Sequence, residues 1–146
     1  MEINEKDPIV QFVKFIMVGV LNTGLTLIII YLCKSVLGIN EYVSNLVGYV
    51  AGVINSFLWN KNWVFKVKNH LLRQAAVFLL GFGICYLLQL LVVFWITDCT
   101  PYGDMTWTIE SYTISGYGIA TIIGMGVYTV ANFIYNRVVT FHRTDD

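Results

Sequence analysis

Charge is the scarcest thing in this chain. Asp, Glu, Lys and Arg make up 12% of it and hydrophobic residues 57%, whereas a soluble domain is about 25% charged. That leaves too little ionic surface for a globule in water, and the sequence reads as a membrane protein. Strict polar and apolar alternation is also missing. Runs such as "LTLIIIYL" and "YLLQLLVVFWI" lack the period of two that a membrane barrel needs, so the apolar stretches are expected to be helices. The three cysteines are odd in number and without metal-type spacing, and they read as small apolar residues rather than ligands or a disulfide framework. No glycine-rich nucleotide loop is present, and no cofactor, metal or nucleic acid is implied.

What is present is four uncharged runs, Phe15 to Cys33, Tyr42 to Asn60, Gln74 to Thr97 and Ser111 to Asn136. With a rise of about 1.5 Å per residue and a hydrocarbon core of about 30 Å, each can span a bilayer. The first has no small-residue cleavage site after it, "IIIYLCKSVLG", so it is expected to stay in the mature chain rather than act as a signal peptide. The fold expected is therefore an all-α integral membrane protein with four transmembrane helices in a single membrane domain, 1–146. Lys6 and Lys14 precede the first run, Lys61, Lys66, Lys68 and Arg73 fill the central connection, and Arg137 and Arg143 follow the last. Excess Lys and Arg mark cytoplasmic segments, which places both termini and the central loop inside. The connection carrying Asp98, Asp104 and Glu110 has no basic residue and is expected outside. Leu71 and Leu72, between Lys68 and Arg73, are expected to dip among the inner headgroups.

The chain also repeats itself. "NSFLWNKNWVF" at the end of the second run returns as "NFIYNRVVTF" at the end of the fourth. At one constant offset Gly48 matches Gly124, Phe57 matches Phe133, Asn60 matches Asn136, Lys61 matches Arg137 and Phe65 matches Phe141. The first and third runs align only loosely, pairing Gly19 with Gly81. Two tandem hairpin repeats follow, about 12–65 and about 74–141, entering the membrane in parallel and related by an axis along its normal. Ser44, Gly48, Gly52 and Ser56, and again Gly116, Ala120 and Gly124, form stripes of small residues. Such stripes let helix backbones approach closely in lipid.

Polar residues gather in the cytoplasmic half. Asn22 and Thr23 fall about 12 Å inside the first run by helical rise, and Asn55 and Asn132 stand just before Asn60 and Asn136. An unpaired amide in hydrocarbon costs several kcal/mol, so each needs a neighbouring helix, a ligand or water. Taken singly, they serve as interhelical glue or as helix caps, while Trp59, Trp63 and Tyr135 fit an interfacial belt. Taken together with Lys61 and Arg137, which follow directly on Asn60 and Asn136, they compose a set for an anionic glycolipid head. Cations bind phosphate, amides bind sugar hydroxyls, and the Trp63 indole can cover an apolar sugar face.

The opening "KFIMVGVLNTGLTLIIIYL" and the phrase "NSFLWNKNWVF" resemble the GtrA-like family of small four-span membrane proteins, and the resemblance extends over nearly the whole chain. Its most specific element is the spacing of Asn60, Lys61, Trp63 and Phe65. The family pattern usually has arginine where Lys61 stands, and the second copy carries Val139 where the first has its tryptophan. The resemblance implies a bacterial inner-membrane protein. It would move a polyprenyl-phosphate-linked monosaccharide, such as a sugar on undecaprenyl phosphate, to the outer leaflet for teichoic acid or O-antigen glycosylation. Phosphate is then expected at Lys61 and Arg137, and the sugar near Asn22, Asn55 and Asn132, in a groove open to lipid. The small enclosed volume points to a homo-oligomer, and a membrane glycosyltransferase is the partner expected if the chain is a scaffold.

Other classes fit less well. A small proton-coupled drug exporter needs an intramembrane carboxylate, and no Asp or Glu falls inside a run. A non-transporting scaffold for a glycosyltransferase stays open as the alternative. An enzyme is not expected, because His70 and His142 lie outside the runs without a carboxylate at recognisable spacing.

Overall fold

The computed structural model describes residues 7–68, 71–109 and 112–142. Lys6, His70, Glu110, Ser111 and Arg143, which figured in the sequence reading, lie outside the described residues. The chain divides into two compact units, one built on the first two helices and the other on the last two.

In the first unit, α1 runs from Pro8 to Tyr31. Asp7 caps it by accepting from the Ile9 N–H at 2.8 Å, and Pro8 occupies the first turn, where its missing donor costs nothing. The helix then widens into a π-turn, Leu32–Val36, and stops where Gly38 takes φ +66°. That left-handed conformation is the usual glycine terminator, and it lets the Ile39 N–H reach the Cys33 carbonyl at 2.9 Å. Asn40 caps the next helix through the Tyr42 N–H at 2.9 Å, and α2 runs from Glu41 to Trp59. It too ends in a π-turn, Asn60–Val64. Lys66 supplies the left-handed residue at φ +52°, and the Val67 N–H reaches the Lys61 carbonyl at 3.0 Å.

The stripe of small residues on α2 faces α1. A Cβ at Gly48 would meet the Ile30 side chain and the Thr26 carbonyl, and one at Gly52 would meet the Thr26 hydroxyl. Ser44 is fully buried, with its hydroxyl donating to the Asn40 carbonyl at 2.9 Å.

In the second unit, α3 runs from Leu71 to Asp98 and α4 from Gly116 to Tyr135, followed by a π-turn, Asn136–Thr140. Gly124 packs against Val93 and Gln89 of α3, and Gly81 of α3 lies under the Tyr135 ring of α4. Gly116 leaves no room for a Cβ against the Tyr102 and Gly103 carbonyls. Gly19, the loose partner of Gly81 in the alignment, faces open space, so the two glycines do different work.

The expected helix from Ser111 is corrected here. Thr106–Ile109 forms β1 and Tyr112–Ser115 forms β2, an antiparallel hairpin with Trp107 opposite Ile114 and Thr108 opposite Thr113. β-Branched and aromatic residues dominate both strands, which favours a pleated conformation over helix. Ser115 then breaks the strand and caps α4 by accepting from the Gly118 N–H at 3.1 Å. Apart from this short hairpin the described elements are helical, as expected.

Three helical stretches, Pro8–Val36, Leu71–Asp98 and Gly116–Thr140, are long and apolar enough to cross a membrane. Their surfaces are apolar: Val20 is 69% exposed, Leu91 64% and Ile122 67%, a pattern that suits lipid and not water. The helix containing α2 does not meet that measure. The residues that let it pack, Ser44, Gly48, Gly52, Asn55 and Ser56, also dilute its apolarity.

Candidate functional site

The two helix ends singled out in the sequence adopt the same local structure. Asn60–Val64 and Asn136–Thr140 are both five-residue π-turns. The first is closed by the Phe65 N–H on the Asn60 carbonyl at 2.9 Å, the second by the Phe141 N–H on the Asn136 carbonyl at 2.8 Å. A π-turn carries one residue more than the α-helical turn it replaces and is frequent at functional sites. Asn60 and Asn136, which the sequence offered as caps, do take the C-cap positions of α2 and α4, and they are also the first residues of these widened turns.

In the first unit Asn60 is 1% exposed. Its amide nitrogen donates to the Ser56 carbonyl at 2.8 Å and lies 3.2 Å from the Ser56 hydroxyl, while its side-chain oxygen meets no hydrogen-bond partner among the described residues. Lys61 is buried beside it at 7% exposure. Trp63 is half-buried, and its face is covered by the Lys14 ammonium, 5.4 Å from the ring centre. Trp59 meets Trp63 edge to face at 5.7 Å. Lys14 was read from the sequence only as an orientation signal, and the structure adds it to this cluster through a cation–π contact.

Deeper in the same unit, the Asn55 side-chain nitrogen donates to the Asn22 oxygen at 3.1 Å, joining α2 to α1. Thr23 is not part of that link. Its hydroxyl donates back to the Gly19 carbonyl at 3.1 Å on an exposed face, the local bond that lets a hydroxyl sit in an apolar helix.

In the second unit the polar residues line one stripe of α4 and its π-turn, at every fourth position: Tyr128, Asn132, Asn136 and Thr140. The Asn136 nitrogen donates to the Asn132 oxygen at 3.0 Å, and the Asn132 nitrogen lies 3.4 Å from the Tyr128 hydroxyl. Asn132 is 7% exposed, Asn136 fully buried and Thr140 5% exposed. The Asn136 side-chain oxygen, Arg137 Nη1 and the Thr140 hydroxyl are buried with no hydrogen-bond partner among the described residues. Neither Tyr128 nor Thr140 was singled out in the sequence, although their four-residue spacing from Asn132 and Asn136 was there to be read. At the aligned positions the first unit has Gly52, Ser56, Asn60 and Val64, so Asn55 and Asn132 are not equivalent residues. The tyrosine that matches Trp59 turns inward, its hydroxyl 3.3 Å from the Val77 carbonyl.

Away from these ends, Lys34 and Glu41 form an exposed ion pair at 2.7 Å, bridging the end of α1 to the start of α2. Hydrogen bonding and charge from Lys34 hold the Glu41 carboxyl below its ordinary value. Cys33, Cys85 and Cys99 are free thiols. No cluster of His, Cys, Asp or Glu able to hold a metal ion occurs among the described residues.

What each unit offers chemically is a buried carboxamide oxygen followed in the chain by a cation, and the first turn also carries Trp63. Such a set accepts from hydroxyls and donates to anions. Comparison with known proteins places the chain in a membrane family. Residues 14–141 match the family described as "GtrA/DPMS, transmembrane domain". The chain is also 30% identical over 141 residues to the uncharacterized membrane protein YngA of Bacillus subtilis (strain 168), covering 93% of this chain and 82% of that protein.

Proposed function

This chain belongs to the GtrA/DPMS transmembrane domain family, and from that membership we propose that it carries a polyprenyl-phosphate-linked monosaccharide from the inner to the outer leaflet of a bacterial inner membrane. The sugar would then be consumed in glycosylating a surface polysaccharide such as teichoic acid or O-antigen. Four spans with both termini inside complete the reading, α2 being the fourth despite its polar stripe.

One observation carries most of the weight. Two buried asparagines with an unpartnered oxygen, Asn60 and Asn136, each stand directly before a cation in matching π-turns. Buried polar atoms are normally satisfied, so these point to a guest that supplies hydroxyls and negative charge together. A sugar phosphate does both. The reading assigns phosphate binding to Lys61 in the first unit and to Arg137 in the second, and sugar binding to Asn22, Asn55 and Trp63 in the first and Asn132 in the second, while the isoprenoid tail stays in lipid. No carboxylate falls within the apolar runs to couple a proton, and transport runs downhill, drawn by consumption of the lipid outside.

The test is twofold. In cells, Lys61→Ala and Arg137→Ala should remove the sugar from the surface polymer while its lipid donor accumulates inside. Unchanged surface glycosylation would take both residues out of the mechanism. In liposomes the purified protein should accelerate flipping of a sugar-phosphate lipid. A scaffold that only recruits a glycosyltransferase would leave that rate at the protein-free value.

A further inference from the structure

The two π-turns differ in what they leave unsatisfied. In the first, the Asn60 oxygen is the one buried side-chain atom without a partner among the described residues, and the turn's last residue is Val64. In the second, three different groups lack one: the Asn136 oxygen, which only accepts, Arg137 Nη1, which only donates, and the Thr140 hydroxyl, which does both. All three belong to one five-residue turn. The Asn136 amide is oriented by its bond to Asn132, which leaves its oxygen as the free acceptor.

We propose that the turn Asn136–Thr140 is itself a binding site for the phosphoryl-sugar head of the lipid, with Thr140 as a specificity-determining residue that the first turn lacks. This rests on the flippase reading and deepens it by making the two copies unequal. A buried guanidinium nitrogen without a partner is costly, and no acidic side chain is placed against Arg137 among the described residues. A phosphoryl oxygen answers Arg137 Nη1 and the Thr140 hydroxyl, and a sugar hydroxyl donates to the Asn136 oxygen. A trapped water could meet the same three atoms but would leave the charge unbalanced. In the first turn Val64 offers no hydroxyl, so a phosphoryl oxygen at Lys61 would lack the second donor that Thr140 supplies.

The experiment measures binding of farnesyl phosphate and of glucosyl farnesyl phosphate to purified protein in detergent by native mass spectrometry, with elution volume and helical circular dichroism as checks on folding. Thr140→Val, which installs the residue of the first turn, should lower affinity for both lipids about tenfold, the loss expected when a buried charge-assisted hydrogen bond goes. Thr140→Ser should restore it, and Val64→Thr should leave it unchanged. Thr140→Val binding like the wild type would overturn the proposal and assign the three atoms to trapped water, leaving the flippase reading standing. Displacement of the lipid by equal concentrations of inorganic phosphate would overturn it in favour of a free-anion site. Wild-type protein that binds neither lipid would remove the flippase reading and this site with it.

Discussion

Asn55 of α2 donates to Asn22 of α1 across 3.1 Å, and this side-chain bond between two half-buried amides ties the two helices of the first unit. Interhelical hydrogen bonds of this kind contribute about 0.6 to 2 kcal/mol. Asn22→Ala and Asn55→Ala should each destabilise the protein by about 1 kcal/mol on that scale, and the double variant by less than the sum. Unfolding in mixed micelles, analysed as a double-mutant cycle, checks it. Additive losses would mean that the two amides do not act on each other.

Gly81 and Gly19 make a paired test of packing. A methyl group at Gly81 would run into the Tyr135 ring, while Gly19 faces open space. Gly81→Ala should therefore cost about 1 to 3 kcal/mol through overpacking, and Tyr135→Leu should recover much of it. Gly19→Ala should be neutral or stabilising by up to about 1 kcal/mol, since alanine is the better helix former. The same micelle unfolding assay distinguishes them.

Lys66 occupies the left-handed region that glycine holds at Gly38. A non-glycine residue there carries roughly 1 kcal/mol of strain. Lys66→Gly should hold or raise stability, and Lys66→Val should lower it by about 1 kcal/mol or more, β-branching being least tolerated at positive φ. Gly38→Ala should lower it by about 1 kcal/mol. Thermal unfolding of the three variants in one detergent gives the order.

The Lys34 ammonium holds the Glu41 carboxyl below its ordinary value of 4.5. Because the folded value is depressed, the pair's contribution is fully present above the unfolded carboxylate value and disappears as pH falls through the folded one. Carbon-13 labelling of the glutamate carboxyls should show Glu41 titrating below the usual range, and Lys34→Met should bring it back up. Both side chains are more than half exposed, so stability at neutral pH should barely move in that variant.

Sequence pattern showed much of this architecture because it shows what lipid and close packing select. Uncharged runs of spanning length mark α1, α3 and α4. The four-residue spacing of Ser44, Gly48 and Gly52 foretold the face that meets Thr26 and Ile30, and the recurring asparagine–cation phrase foretold two alike helix ends. Hydrophobicity misread the stretch before α4, because Tyr112, Ile114 and their neighbours suit a strand as well as a buried helix. The alternation in "TWTI" and "YTIS" around a polar dipeptide is the hairpin signal that could have found it. The π-turns leave no mark in hydrophobicity at all, since they change the hydrogen-bond register and not the residue types. Lys14 illustrates another limit: its contact with Trp63 joins residues far apart in the chain, and no local spacing announces it.

The widened turns also constrain how such a chain can drift over generations. Each holds one residue beyond an ordinary helical repeat, so losing a single codon from either would let it relax into regular helix. With 3.6 residues per turn, everything beyond would swing round by about 100°. Phe65 and Val67 would leave their buried seats after the first turn, and Phe141 after the second. Descendants of this chain should therefore vary at these two places by exchanging letters, while the spacing from asparagine to phenylalanine stays fixed.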